Sequence, residues 1–112
     1  MSTFDFGNGP VPAHKHPNGG GWVADTATVA DTAYVGPNAW VFDDARVYGN
    51  ARVYDNARVY GNARVFGDAW VSGDARVFGN AWVSGNARVD GDARVFGNAW
   101  GFDDAEEGRG IE

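Results

Sequence analysis

The amino-acid sequence predicts an all-β, single-domain β-solenoid, a fold in which short parallel strands coil around one axis. Three observations lead to this prediction. Val occupies every sixth position from Val23 to Val95, and Ala occupies every sixth position from Ala27 to Ala105. Most hexads place Gly followed by Asn or Asp between the Val and the next Ala. The 112 residues include no Leu, and the only Ile is Ile111, so a regular repeat must replace the ordinary mixed core.

The strand of each hexad is predicted from its tripeptide Ala-x-Val. In an extended chain alternate side chains face the same way, so Ala and Val point inward and the residues beside them point outward. Gly, Asn and Asp tolerate the left-handed backbone conformation that a sharp corner requires. A period of six also excludes a helix, because a helical repeat of 3.6 residues would scatter the Val side chains around its axis.

The repeat resembles the hexapeptide-repeat family. Val35-Gly36-Pro37-Asn38-Ala39 matches the motif of that family closely, whereas hexads such as Val47-Tyr48-Gly49-Asn50-Ala51 have an aromatic residue where the family often has Gly. The resemblance covers residues 21–105, which hold about fourteen hexads. It implies a left-handed parallel β-helix with triangular coils of three hexapeptides, and hence between four and five coils. A four-sided or irregular solenoid is the alternative.

The chain is divided by its composition into an N-terminal extended segment or cap at residues 1–20, the repeat at residues 21–105 and an acidic C-terminal tail at residues 106–112. A cap is expected because the end of a solenoid exposes core and strand edges. Phe4 and Phe6 alternate with polar residues and are expected to lie against an aromatic face or over the first coil. The three glycines at residues 19–21 are interpreted as a flexible linker that lets this segment fold back.

Outward side chains 18 residues apart are expected to stack at about 4.8 Å, which sorts them into three faces. The first face is the predicted interaction surface because it carries the most aromatic residues, and Arg with aromatic rings is typical of interfaces. Cation–π contacts of Arg with Phe or Tyr rings and the corner carboxylates of Asp68, Asp74 and Asp92, from the same chain or a neighbour, are expected to offset repulsion between stacked Arg side chains. The predicted surface consists of Trp22, Trp40, Phe42, Arg58, Tyr60, Arg76, Phe78, Arg94 and Phe96.

Composition excludes several kinds of site and partner. The chain has no Cys, so it has no disulfide, thiolate metal site or thiol nucleophile. Its net charge of −6 argues against direct nucleic-acid binding. Residues 1–7 lack the basic and apolar regions of a signal peptide, and no run of 18 apolar residues occurs, so a cytoplasmic protein without a membrane segment is expected.

Enzymatic activity is not expected, and neither is a cofactor. Members of the hexapeptide-repeat family include acyltransferases that use CoA thioesters and relatives of γ-class carbonic anhydrases, and both need His on the coils. Residues 17–112 contain no His. His14 and His16 are weak candidates for a metal site, with Asp5, because an i, i+2 pair in an extended segment points the same way. The favoured interpretation is two ordinary polar side chains.

The favoured function is that of a non-enzymatic structural or interaction protein. The family resemblance implies a homo-oligomer packed through its coil faces, with a trimer favoured. The Gly-Asn-Ala-Arg-Val-Tyr repeats also resemble phage and prophage accessory proteins, which suggests a viral protein that binds and inhibits a host protein. The alternatives are an acyltransferase-like enzyme that uses His14 or His16 across a subunit boundary, and a carbohydrate binder with an aromatic face.

Overall fold

The fold is built from one short strand in each hexad, usually the outward residue and the Val that follows it. The computed structural model describes residues 2–97 and the backbone of residues 100–102 and 106–107. In chain order the strands are β1 (Thr3–Asp5), β2 (Pro10–Lys15), β3 (Trp22–Ala24), β4 (Thr28–Val29), β5 (Tyr34–Val35), β6 (Trp40–Val41), β7 (Arg46–Val47), β8 (Arg52–Val53), β9 (Arg58–Val59), β10 (Arg64–Val65), β11 (Trp70–Val71), β12 (Arg76–Val77), β13 (Trp82–Ser84), β14 (Arg88–Val89), β15 (Arg94–Val95), β16 (Trp100–Phe102) and β17 (Glu106–Glu107).

Strands three apart in the sequence pair in parallel and form three sheets. The first sheet has the order β1-β2-β3-β6-β9-β12-β15, the second β16-β13-β10-β7-β4 and the third β17-β14-β11-β8-β5. Every parallel pair from β3 onward joins residues 18 apart, as Arg58 and Arg76 do. The chain therefore makes one coil per three hexads and winds between four and five times around its axis. This confirms the predicted all-β solenoid.

The core is a column of Ala and Val side chains. Val23 and every Val from Val35 to Val95 are buried, and so is each Ala between Ala33 and Ala93. Each strand turns its Val inward, and the Ala just before the strand lies beside it. Because the three sheets enclose a narrow interior, small and β-branched side chains fill it without Leu or Ile.

The corners are tight turns in which the Ala N–H bonds to the carbonyl oxygen three residues earlier, as between Ala63 and Tyr60 at 3.4 Å. The left-handed residue is the first of the two corner residues. It is usually Gly, for example Gly67 at φ 71°, and in two coils it is Asp43 (φ 60°) or Asp55 (φ 57°). No Asn within the described residues has a positive φ, so the second corner residue does not carry the left-handed conformation that the sequence suggested for Asn.

Residues 2–21 cover two of the three sheet edges at the N-terminal end. The β1–β2 hairpin is antiparallel, and β2 pairs antiparallel with β3, which continues the first sheet beyond the first coil. Residues 16–21 cross the edge of the third sheet, where Gly21 N–H bonds to the Val35 carbonyl at 2.9 Å. A Cβ atom at Gly19 would lie 2.2 Å from the same oxygen. Gly19 and Gly21 therefore permit close packing against the third sheet, and the segment that they join folds back onto the first coil.

The remaining N-terminal edge is β4, which pairs only with β7 among the described strands. Val29 and Ala30 on and beside it are only partly buried. At the other end, strand pairing continues two residues beyond the predicted limit of the repeat, because β17 at Glu106–Glu107 pairs with β14. Residues 108–112 of the predicted tail lie outside the described residues. No helix that could cross a membrane occurs in the part of the chain that the structure describes.

Candidate interaction surface on the first face

The first face is formed by the outward side chains of β3, β6, β9, β12 and β15 and of the residues after their Val positions. Parallel pairing joins Trp22 to Trp40, Trp40 to Arg58, and Arg58 through Arg76 to Arg94. The second column consists of the outward residues that directly follow the inward Val of each strand. The structure therefore brings the nine predicted residues together on one face, in two columns: Trp22, Trp40, Arg58, Arg76 and Arg94 beside Phe42, Tyr60, Phe78 and Phe96.

Four rings of the second column form a continuous stack, which we call the aromatic ladder: Phe42, Tyr60, Phe78 and Phe96. The successive ring centroids are 4.8, 5.1 and 5.3 Å apart, and the ring planes differ by less than 10°. Each ring is half-buried, since stacked neighbours cover both faces of Phe42, Tyr60 and Phe78 and one face of Phe96. The only large hydrophobic side chains classed as exposed within the described residues are Val11 and Tyr48. Stacking in the aromatic ladder thus buries much of the apolar ring area that outward-facing aromatic residues would otherwise expose to solvent.

The N-terminal hairpin covers the upper part of the first face. The Phe4 ring stacks on Trp22 with centroids 4.9 Å apart, and the Phe6 ring stacks on Phe42 at 4.9 Å. Phe4 also meets the Trp40 ring edge-on at 5.1 Å. Three of the nine predicted surface residues are therefore covered by the chain's own N-terminus. The part left open, which we call the lower first face, consists of Arg58, Tyr60, Arg76, Phe78, Arg94 and Phe96.

Arg58 is the Arg of this column that is held by intrachain contacts. Its Cζ lies 3.7 Å from the centroid of the Trp40 ring, and its Nη1 donates a hydrogen bond to the Asn56 carbonyl at 3.2 Å. Burial lowers the pKa of Arg58 below its ordinary value, the positive charge of Arg76 lowers it further, and the carboxylate of Asp74 acts in the opposite direction. Arg76 and Arg94 are exposed below it.

A polar groove of about 580 Å³ runs between the Arg column and the preceding corner of the coil. The corner column has Asn56, Asp74 and Asp92, each two residues before an Arg of the same strand. Asp74 accepts a hydrogen bond from Asn56 at 3.3 Å. We call this feature the Arg–Asp groove, and it is lined by Asn56, Arg58, Asp74, Arg76, Asp92 and Arg94.

The Arg–Asp groove contains no ion pair within one chain. Among the described residues, the one ion pair shorter than 4.0 Å joins His14 to Asp25, and no Arg takes part in one. In the part of the chain that it describes, the structure therefore shows no direct ion pair between these aspartates and the Arg columns, although the negative charge of Asp74 acts to raise the pKa of Arg58. Neutralisation by a neighbouring chain stays a prediction.

The other two faces place their Arg side chains differently, since Arg and Trp alternate on the third face and two Arg are followed by two Trp on the second. On the third face Arg52 and Arg88 lie 5.9 and 4.6 Å from the ring of Trp70, one above it and one below. On the second face Arg64 lies 5.4 Å from the Trp82 ring. Cation–π contacts are therefore present among the described residues, but with Trp rings and not with the Phe or Tyr rings for which they were expected. Only the first face places three Arg residues in consecutive coils.

The two histidines do not share a site. His14 is exposed, and its Nδ1 lies 2.7 Å from Asp25 Oδ1. His16 follows the end of β2 and is buried over the first coil, with Nε2 donating to the Ala33 carbonyl at 2.8 Å. The i, i+2 expectation was wrong because the strand ends at Lys15. No cluster of three or more potential metal ligands occurs within the described ranges.

Sequence reasoning did not assign Asn56, Asp74 and Asp92 to the surface, although it considered the two aspartates as counter-charges. Their position beside the Arg column could have been predicted from the sequence, because the three residues lie 18 apart and therefore stack in a column of their own. The contacts of Phe4 and Phe6 with individual rings had no equivalent signal, since residues 1–20 lie outside the repeat.

Comparison with known families supports a β-solenoid repeat in part of the chain and indicates no function. Residues 45–59, 57–73 and 69–85 match a family model described as YdcK Beta solenoid repeat. These segments begin at the Ala before β7 and extend past β12, and they are similar to that repeat β-helix family over less than half of the chain. Neither a curated protein nor a solved structure gave a significant match.

Proposed function

We propose that this protein is a non-enzymatic structural protein that self-associates through the lower first face. The observation that carries this proposal is the column of Arg58, Arg76 and Arg94 in consecutive coils, beside a ladder of half-buried rings and with no ion pair to an Arg among the described residues. The resemblance to the hexapeptide-repeat family implies a homo-oligomer, with a trimer as the favoured form.

The physical basis is the combination of charge and apolar area on one flat surface. Stacked guanidinium groups repel one another unless opposite charge lies close to them. The half-buried rings of the aromatic ladder present apolar edges that gain from being covered. Arg and aromatic side chains are the residues that contribute most at protein interfaces. A second protein surface with carboxylates satisfies both groups at once.

The positions of the two histidines support a non-enzymatic function. An acyltransferase-like mechanism would need His14 or His16 as a base at a subunit boundary. His16 is buried and donates a hydrogen bond to a backbone carbonyl. His14 lies on the N-terminal hairpin, and its side chain pairs with that of Asp25, which follows β3. Neither imidazole lies on a coil face, where a substrate would bind.

We extend the proposal to a protein partner that binds a face left free by self-association. Its support is Tyr48 on the second face, which is 39% exposed although its ring stacks on Phe66. If the chain is phage-encoded, as the resemblance of its repeats suggests, that partner belongs to the host and the complex inhibits it.

Self-association is tested by light scattering coupled to size-exclusion chromatography at micromolar concentration. The wild-type chain is expected to give a homo-oligomer, and Arg76→Glu is expected to weaken the association about tenfold or more. Arg46→Glu is the matched control, because Arg46 is also exposed and also precedes an inward Val, but lies on the second face. A monomeric wild-type protein contradicts the proposal, as does an equal effect of the two variants.

A further inference from the structure

We infer that the Arg–Asp groove is filled by a second copy of this chain, which lies parallel to the first with its coils in register. In this arrangement Arg76 and Arg94 of one copy contact Asp74 and Asp92 of the other. The inference rests on the proposed self-association and identifies its contacts as those of a two-fold pair, so a trimer built through this groove would contradict it.

The spacing of the charges favours this occupant. The three Arg residues repeat at the distance between neighbouring strands, about 4.8 Å. A ligand that neutralises all three needs anionic groups at the same repeat. In an extended acidic peptide the side chains on one face are two residues apart, at about 6.6 Å, so they fall out of register with the third Arg. The column of Asn56, Asp74 and Asp92 in a second copy has the required repeat, because the same strand pairing produces it.

The order of residues along each strand fixes the direction of packing. On every coil the corner residue precedes the Arg, as Asp74 precedes Arg76. When two such faces meet with their solenoid axes parallel, the facing strands run in opposite directions. Each Arg then lies opposite an Asp or Asn of the same coil. With antiparallel axes the facing strands run in the same direction, which places Arg opposite Arg and Asp opposite Asp.

The intrachain contacts leave the required groups available. Arg76, Arg94 and Asp92 make no ion pair or hydrogen bond with any other described side chain, and all three are exposed. Arg58 is already held against Trp40, and its opposite number in a second copy is the neutral Asn56. Two of the three coils therefore pair an Arg with a carboxylate, and the third pairs Arg58, which already contacts Trp40, with the neutral Asn56.

The experiment compares three sets of substitutions by sedimentation equilibrium. The first set replaces both cations (Arg76→Asp with Arg94→Asp), and the second replaces both anions (Asp74→Arg with Asp92→Arg). Each is expected to weaken association about tenfold or more, because facing columns then carry like charge. The third set combines all four changes and exchanges the columns. It is expected to restore association to within about threefold of the wild type.

Mixing gives a second readout that a general loss of stability would not produce. Chains with exchanged columns should assemble with one another but not with differently tagged wild-type chains, since mixed contacts place Arg opposite Arg. Thermal unfolding of every variant checks that the solenoid remains folded.

Three outcomes overturn the inference. These are assembly of the folded single-sign variants as tight as that of the wild type, failure of the folded exchanged chains to assemble, and free co-assembly of exchanged and wild-type chains. In each case the wild-type oligomer still stands, so the proposed function survives with different contacts. A monomeric wild-type chain would contradict both this inference and the proposed function. Saturable binding of poly-aspartate that Arg76→Asp abolishes, with wild-type assembly unchanged, would instead identify a linear polyanion as the occupant.

Discussion

The corner position occupied by Gly67 gives the sharpest test of how this repeat specifies its coil. Gly67 has a φ of 71°, and a Cβ atom there would lie 2.9 Å from the amide nitrogen of Gly85 in the next coil. Replacement with Val therefore imposes two costs. The left-handed conformation itself costs a residue with a Cβ about 1–2 kcal/mol, and the close contact with the next coil adds to it. We expect Gly67→Val to lower the free energy of unfolding by about 2–4 kcal/mol.

Asp provides the matched control, because the chain already uses it at equivalent corners. Asp55 has a φ of 57°, and its Oδ2 accepts a hydrogen bond from the Gly73 amide one coil below at 3.2 Å. The same carboxylate at residue 67 can accept from the Gly85 amide. We therefore expect Gly67→Asp to change the free energy of unfolding by no more than about 1 kcal/mol.

Urea unfolding followed by tryptophan fluorescence measures the difference, and thermal unfolding provides an independent check. For a domain of this size 1 kcal/mol shifts the Tm by about 4–8 °C, so Gly67→Val should lower it by roughly 10–25 °C. Protein concentration must be kept equal, because self-association stabilises the folded chain. Equal stability of the Val and Asp variants would refute the requirement for a left-handed corner and a close approach between coils.

Three further predictions concern the core, the cap and the Arg column. Val65→Ala should lower the free energy of unfolding by about 2–3 kcal/mol in the same urea assay, because a fully buried side chain loses two methyl groups and leaves a cavity. Phe6→Ala removes the ring stacked on Phe42, so hydrogen exchange of the hairpin amides should accelerate about tenfold or more while the coils below stay protected. Arg58→Lys keeps the charge but loses the planar contact with Trp40. A double-mutant cycle of Arg58→Lys with Trp40→Leu should therefore give a coupling free energy of about 0.5–1 kcal/mol between the two positions.

The repeat itself could be predicted from the sequence because each hexad contains both the residues that form its strand and the residues that form its corner. The alternation of Ala and Val fixes which side chains are inward, and the interval of 18 residues fixes which side chains stack. The columns of the first face followed directly, including the run of Arg58, Arg76 and Arg94. These features depend only on local strand geometry repeated without interruption.

The contacts that the sequence did not predict depend on side-chain direction or lie outside the repeat. Asp74 and Arg76 are close in sequence, yet Asp74 lies in the corner turn before β12 and the two side chains form no ion pair. His16 was expected to point the same way as His14, but β2 ends between them and the chain turns over the first coil. Gly19 looked like a hinge because composition alone does not reveal a neighbouring carbonyl.

The interval of 18 residues between stacked positions has a consequence for how such a gene can change length. Duplication of a single hexad keeps every later Ala and Val inward, so the fold accepts it. It also rotates everything downstream by one third of a coil. A hexad inserted after residue 62 would carry Arg76 and Arg94 from the first face to the second and separate them from Arg58. Duplication of three hexads would instead lengthen the column and preserve it. Replication slippage in this sequence can therefore create new surfaces without unfolding the protein, and only one duplication in three leaves the original surface intact.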